Sequence, residues 1–295
     1  MGIQVALKHR THYRYDKTVS LGPQIIRLRP SLHCRTPILS YSLDVSPVEH
    51  SLRWQLDSAS NQQAHILFPK KTSEFSVEVD LVADLSPLNP FDFLLDPAVE
   101  NYPFQYPPEV ARDLYPYLLV DPPGALLRDF VESCRNQQTS TVDFLLLINH
   151  KVRDDISYVT RLEQGIQTSE ETLQMRSGSC RDSAWMLVEC LRNLGIAARF
   201  VSGYLIQLAE PNNEQNTVES GPQSDSADLH AWAEAFLPGA GWIGLDPTNG
   251  IFCNDNFIPA AVGLRPADIT PISGSFYHRD RIPAEMKSRL ELITL

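Results

Sequence analysis

The stretch "LSPLNPFDFLLDPAVENYPFQYPPEV" (85–110) constrains this chain most, because it carries Pro87, Pro90, Pro97, Pro103, Pro107 and Pro108. Proline lacks a backbone N–H and fixes φ, so this density excludes an internal helix or a central strand and reads as an ordered connector. The hydrophobic period differs on its two sides. Before it, Ile3, Val5 and Leu7 share a face that His9, Thr11, Tyr13 and Tyr15 continue, and "YSLDV" and "FSVEVDLVADL" repeat the alternation. A period of two with turn residues between runs predicts a β-rich domain.

Beyond the connector the period is helical, as in "ALLRDFVESC" and in "TVDFLLLINHKVRDDI" with Val142, Leu145, Leu146, Asn149 and Val152. Thr168 and Glu171 have the spacing of a capping box. Ala184, Leu187, Val188, Leu191 and Leu194 form another amphipathic run, which Gly195 ends. "IAARFVSGYLIQL", "LHAWAEAFL" and "WIGLDPT" then read as strands, the last two joined by the turn "PGAG". The expectation is an α+β fold: a β-rich domain over residues 1–100 with the connector at its end, then helices packed on an antiparallel sheet over 101–295.

Composition narrows the function. The net charge of −11 disfavours a nucleic-acid footprint or an anionic membrane surface. The start "MGIQVALKHRTHYRY" lacks the pattern of a secretory signal, and no apolar run approaches the ~18 residues of a membrane span. Cys34, Cys134, Cys180, Cys190 and Cys253 are odd in number and never spaced C-x-x-C, which argues against a disulfide framework or a thiolate zinc site. The expected compartment is reducing and cytoplasmic.

One cysteine stands apart. In "RSGSCRDSAWM" the amphipathic run begins just after Cys180, which places the thiol in a helix's first turn. Unpaired N–H groups and the positive dipole end favour an anion there, and thiolate is the nucleophilic form. The same groups suit a developing oxyanion. Cys190 lies inside the apolar run and reads as a structural thiol, as do Cys34, Cys134 and Cys253.

A nucleophilic cysteine needs a base, and the base an orienting group. In "LHAWAEAFL" the alanines form one face and His230, Trp232, Glu234 and Phe236 the other. Glu234 is expected to be solvated or to support the histidine. Asp246 shares a face with Trp242 and Gly244, and hairpin parity decides whether it meets His230. If Leu237 opposes Trp242, Ala233 faces Asp246 and the two are separated. If Phe236 opposes Trp242, Trp232 faces Asp246 and His230 becomes its diagonal neighbour. The second register is predicted.

The segments "SGSCRDSAWMLVECLRNLGIAARFVSGYL" and "DLHAWAEAFLPGAGWIGLDPTNG", with "GLRPADITPISG" as support, resemble the transglutaminase-like superfamily, in particular its bacterial cysteine-protease-like members. "HRTHYRYDKTV" and "IIRLRPS" resemble the β-rich domain that precedes the core in this group. The resemblance implies a papain-like core with a Cys-His-Asp triad at Cys180, His230 and Asp246, acting through a thioester. It implies Tyr158 as the preferred second oxyanion donor, with Gln164 and Gln167 behind it. Asp182 fits the group's "CRD" pattern, and with Trp232 and Glu234 it is expected to support the triad. No metal and no cofactor are expected.

The expected partner is a peptide or protein amide substrate, and nothing in the sequence indicates an oligomeric state. The leading expectation is amide or peptide hydrolysis. An alternative is protein crosslinking, for which Glu210, Glu214, Glu219, Asp225 and Asp228 of an acidic loop could attract a lysine. A third is a catalytically idle binding module, against which the presence of all three triad residues argues.

Overall fold

The structure, a computed structural model, describes residues 2–161, 163, 165–209, 224–280 and 282–295. The expected acidic loop therefore lies outside the described residues, except for its end at Asp225 and Asp228. The N-terminal region holds β1 (Ile3–Ile26), β2 (Ile38–Ser46), β3 (Ser51–Leu56), β4 (Gln62–Leu67) and β5 (Thr72–Leu85). Alternation puts Val5, Leu7, His9 and Thr11 of β1 inside with Val77, Val79, Leu81 and Ala83 of β5. β1 pairs with β5 continuously from Ile3↔Leu85 to Arg14↔Glu74, and the next pair is Val19↔Thr72. The extra residues on β1 bend it, and its second half pairs with β4 through Gln24, Ile25 and Ile26.

The middle of the chain contains β6 (Asn101–Tyr102), the short helices α1 (Pro108–Asp113) and α2 (Tyr115–Leu118), α3 (Ala125–Arg135), β7 (Thr139–Ser140) and α4 (Thr141–Asp155). After these come β8 (Ser157–Tyr158), α5 (Ser169–Met175), β9 (Ser177–Gly178) and α6 (Cys180–Asn193). The proline-rich stretch is ordered, and α1 starts at its last proline, where the missing N–H costs nothing. Tyr106 ties the stretch to the core: its hydroxyl donates to the Phe236 carbonyl at 2.7 Å and accepts from the Ala197 N–H at 3.0 Å. The Asp96 N–H donates to the Pro238 carbonyl at 2.9 Å. There Gly239 has φ +88°, and a Cβ on it would lie 2.7 Å from the backbone of Asp96 and Leu94.

The core sheet is antiparallel, in the order β13-β12-β11-β10-β14. Its strands are β10 (Ala198–Gln207), β11 (Ser226–Leu237), β12 (Gly241–Asp246), β13 (Ile251–Phe252) and β14 (Phe257–Gly263). The small face of β11, Ala231, Ala233 and Ala235, joins Ala184, Leu187, Val188 and Leu191 of α6 in one core. Alanines let the helix backbone approach the sheet closely. The capping box at Thr168 and Glu171 forms at the start of α5, and Gly195, φ +83°, follows the end of α6.

The last strands, β15 (Ile272–Tyr277) and β16 (Ala284–Thr294), leave the core and pair with β1. The segment 101–295 thus supplies two strands to the sheet of the 1–100 segment. The two regions also share a core, in which Tyr204, Ile206 and Ile258 pack with Leu7, Phe75 and Leu81. Among the described residues no helix is long and apolar enough to cross a membrane.

A buried histidine marks this junction. His9 Nδ1 lies 3.1 Å from the Tyr204 hydroxyl, and Nε2 lies 3.0 Å from Thr11 Oγ1 and 3.2 Å from Ser288 Oγ. Burial without a charged partner lowers its pKa to about 4. The unfolded chain therefore takes up a proton as pH falls through ~6.5 while the folded chain resists until about 4. Stability should drop by about 3 kcal/mol across that window. Urea unfolding of His9→Gln against wild type, at pH 7 and at pH 4, checks this: the drop should be smaller in the variant by most of that amount.

Candidate active site

Cys180 opens α6 and is half-buried. Its position rests on Asp182, two residues along, which is completely buried. Asp182 Oδ1 accepts from Arg161 Nη1 at 2.7 Å and from the Gln167 N–H at 2.7 Å. Oδ2 accepts from the Ser179 N–H at 2.8 Å and from Ser179 Oγ at 2.7 Å. Burial opposes the charge of this carboxyl, but Arg161 and the N–H and O–H donors outweigh it and hold its pKa below the ordinary value. Asp182 is therefore the clamp of the loop that carries Cys180, a larger role than complementing the helix dipole. A Cβ on Gly178 would lie 2.9 Å from Asp182 Cβ, so the clamp closes only over glycine.

The hairpin register is Phe236↔Trp242, and the ladder continues to Ala233↔Leu245. This is the alternative that sets His230 diagonally across from Asp246. His230 Nε2 lies 3.1 Å from Asp246 Oδ2. Nε2 is buried, and Asp246 is its ion-pair partner among the described residues. Burial disfavours the imidazolium, yet the contacts with Asp246 and Cys180 outweigh it and raise the His230 pKa to about 10. With Nε2 turned to Asp246, Nδ1 is the nitrogen available to the thiol.

Asp246 is buried and fixed from its other side. Thr248 N–H donates to Oδ1 at 2.9 Å, and Asn249 Nδ2 donates to Oδ2 at 2.6 Å. The turn "DPTNG" therefore uses Asp246 as turn former and as histidine partner together. Trp232 is buried, with its ring 6.4 Å from His230 and nearly parallel to it, and Phe257 packs edge-on at 5.4 Å. Gly203, paired with His230, leaves room for that ring: a Cβ there would lie 2.7 Å from Trp232 Cη2.

The other expected groups fare differently. Glu234 is not solvated. It is buried, 2.6 Å from Arg199 Nε and 3.3 Å from His33 Nε2, and ties the N-terminal region to β11. Gln167 has its amide engaged elsewhere, with Oε1 accepting from Thr172 Oγ1 at 3.0 Å and Nε2 3.3 Å from Met175 Sδ, so its contribution to the site is the backbone bond to Asp182. Tyr158 pairs with Gly178 in the parallel bridge β8–β9, and its side chain is exposed. Gln164 lies outside the described residues. Arg161, Asn249, Thr248 and His33 were not singled out in the sequence; only Asn249, three residues after Asp246, carried a local signal. Among the described residues no group of three or more His, Cys, Asp or Glu is placed to hold a metal ion.

Comparison with known proteins agrees with this architecture. The model of the bacterial transglutaminase-like N-terminal region matches residues 5–84, and that of the transglutaminase-like superfamily matches residues 128–247. An uncharacterized protein of Mycobacterium tuberculosis is 27% identical over 286 residues, covering 91% of this chain and 86% of its own. A protein-glutamine gamma-glutamyltransferase of Pseudomonas aeruginosa is 37% identical over 73 residues, 25% of this chain and 10% of its own. A solved structure described as a "putative cysteine protease" of Cytophaga hutchinsonii shares the fold at TM-score 0.70 and 19% identity, over 100% of this chain and 91% of that one. Residues 128–247 thus form a core of the transglutaminase-like superfamily, and residues 5–84 a bacterial transglutaminase-like N-terminal region ahead of it.

Proposed function

We propose that the protein is a cysteine-dependent acyl-transfer enzyme that hydrolyses peptide-like amides, with Cys180, His230 and Asp246 as its catalytic residues. The observation that carries this reading is the position of His230, whose Nε2 lies 3.1 Å from Asp246 Oδ2 and whose pKa is raised by its interactions with Asp246 and Cys180. Cys180 Sγ attacks the amide carbon, and the carbonyl π pair moves to oxygen. The Asp182 and Ser183 N–H groups are taken by the Ser179 carbonyl, so the Cys180 N–H at the helix start is left for that oxyanion. As the C–N bond breaks, His230 gives its proton to the leaving amine and a thioester remains. Water, deprotonated by His230, then attacks the thioester, releasing the acid and the thiolate.

An amine could replace water in the last step. The likeness to a protein-glutamine gamma-glutamyltransferase over part of the chain favours this second reading. Incubation with a glutamine-containing peptide and a labelled primary amine separates the two. Hydrolysis predicts ammonia release without label in the product, lost in Cys180→Ala. Incorporation of label would replace hydrolysis by crosslinking. Stoichiometric capture of a partner that survives Cys180→Ala, with no turnover, would mean an idle binding module.

A further inference from the structure

A cavity of about 450 Å³ opens in the N-terminal region between the end of β1 and the start of β2, lined among others by Arg29, Ser31, Ile38, Leu39 and Tyr41. None of Cys180, His230 and Asp246 lines it. Among the described residues Arg29 is the only charged group in its wall, although acidic residues outnumber basic ones 36 to 25 in the chain. The guanidinium carbon lies 5.4 Å from the centre of the Tyr41 ring and 5.1 Å from that of Trp54. Stacking on two aromatic faces fixes the plane of the fork, and among the described residues Arg29 has no carboxylate partner.

Two hydroxyls in the same wall are also unanswered. Among the described residues Ser31 Oγ and Tyr41 Oη are buried without a hydrogen-bond partner, and Ser31 is only 7% exposed. Buried hydroxyls are normally paired, because an unpaired one costs stability. The wall is preformed: the Ser31 N–H donates to the Pro259 carbonyl at 2.7 Å, and Gln62 Nε2 donates to the Pro30 carbonyl at 3.2 Å.

We propose that this cavity binds a carboxylate carried on a small apolar body. Arg29 takes the two oxygens with its fork, the hydroxyls of Ser31 and Tyr41 complete the anion's hydrogen bonds, and Pro37, Ile38 and Leu39 cover the apolar part. One cation and two neutral donors match a monoanion better than a phosphate dianion. The volume exceeds what a lone ion fills. Such a carboxylate is either the C-terminus of a peptide or a free small acid. The site does not depend on the chemistry at Cys180.

Isothermal titration with N-acetyl-leucine, and with N-acetyl-leucinamide as the uncharged twin, tests this. The acid should bind saturably and the amide should bind at least about tenfold more weakly. Arg29→Gln should weaken the acid by roughly tenfold to a hundredfold, and Cys180→Ala should leave it unchanged. Tyr41→Phe should weaken binding severalfold without lowering the melting temperature, since the lost hydroxyl has no protein partner. That second variant separates a ligand group from a structural one. A hexapeptide ending in leucine with a free carboxylate supplies the other arm: tighter binding than N-acetyl-leucine assigns a peptide terminus, and equal binding assigns a free acid. No saturable binding of the acid, equal binding of acid and amide, or indifference to both Arg29→Gln and Tyr41→Phe overturns the proposal.

Discussion

Iodoacetamide should label Cys180 of the wild-type protein rapidly at pH 6, and His230→Ala should slow that labelling by roughly a hundredfold. An ordinary thiol is only ~0.3% thiolate at pH 6, so a thiolate held by an imidazolium can react faster by up to about that factor. His230 is raised to about 10 by Asp246 and Cys180 against the opposing effect of burial, and a group with a raised pKa is charged below it. The imidazolium therefore persists across neutral pH. The other four thiols provide an internal reference, because burial pushes Cys34 up to about 11 and raises Cys134, Cys190 and Cys253 as well. They should stay unlabelled in both proteins when the labelled sites are read by mass spectrometry. Asp246→Asn should lower the His230 pKa, seen in the NMR titration of its imidazole. It should also cut amide turnover by roughly 10³–10⁴-fold, as loss of the orienting carboxylate does elsewhere. Equal labelling rates in wild type and His230→Ala would remove His230 from the mechanism.

Much of the positioning of Cys180, His230 and Asp246 was legible because it follows from local periodicity. The end of one helix face placed Cys180 at a helix start, and the alternation of "LHAWAEAFL" separated an alanine face for α6 from a face bearing His230. The register of one hairpin then brought Asp246 to His230. What the sequence hid is long-range. Alternation cannot say which carboxylate on a strand meets an arginine, and Glu234 finds Arg199 on the next strand and His33 from a segment 201 residues earlier. The return of β16 to β1 joins the chain ends, and no short-range pattern encodes a partner that far away. Tyr158 sits in a two-residue bridge to Gly178, too short to leave a period.

Asp182→Ala is expected to lower the unfolding free energy by about 3–5 kcal/mol, the range for removing one partner of a buried charge pair. An exposed ion pair would contribute only ~0–1 kcal/mol. The larger range applies because the Asp182 side chain has no solvent exposure and that of Arg161 only 18%. Removing the carboxylate strands the Gln167 N–H and the Ser179 N–H and hydroxyl together, and leaves the Arg161 guanidinium only the exposed Glu163 at 3.7 Å. The sign with pH follows from the lowered pKa of Asp182: its contribution is present above the unfolded value of ~3.9 and is lost as pH falls through the lower folded value. The gap between the two proteins in urea unfolding should thus be full at pH 7 and shrink in acid. Asp182→Asn keeps the shape but turns an oxygen into a donor where donors already converge, so its loss should approach that of alanine. Because Ser179 immediately precedes Cys180, both variants should also slow Cys180 labelling in the population that remains folded. A loss below about 1 kcal/mol, with labelling unchanged, would show that the helix start holds Cys180 in place without this clamp.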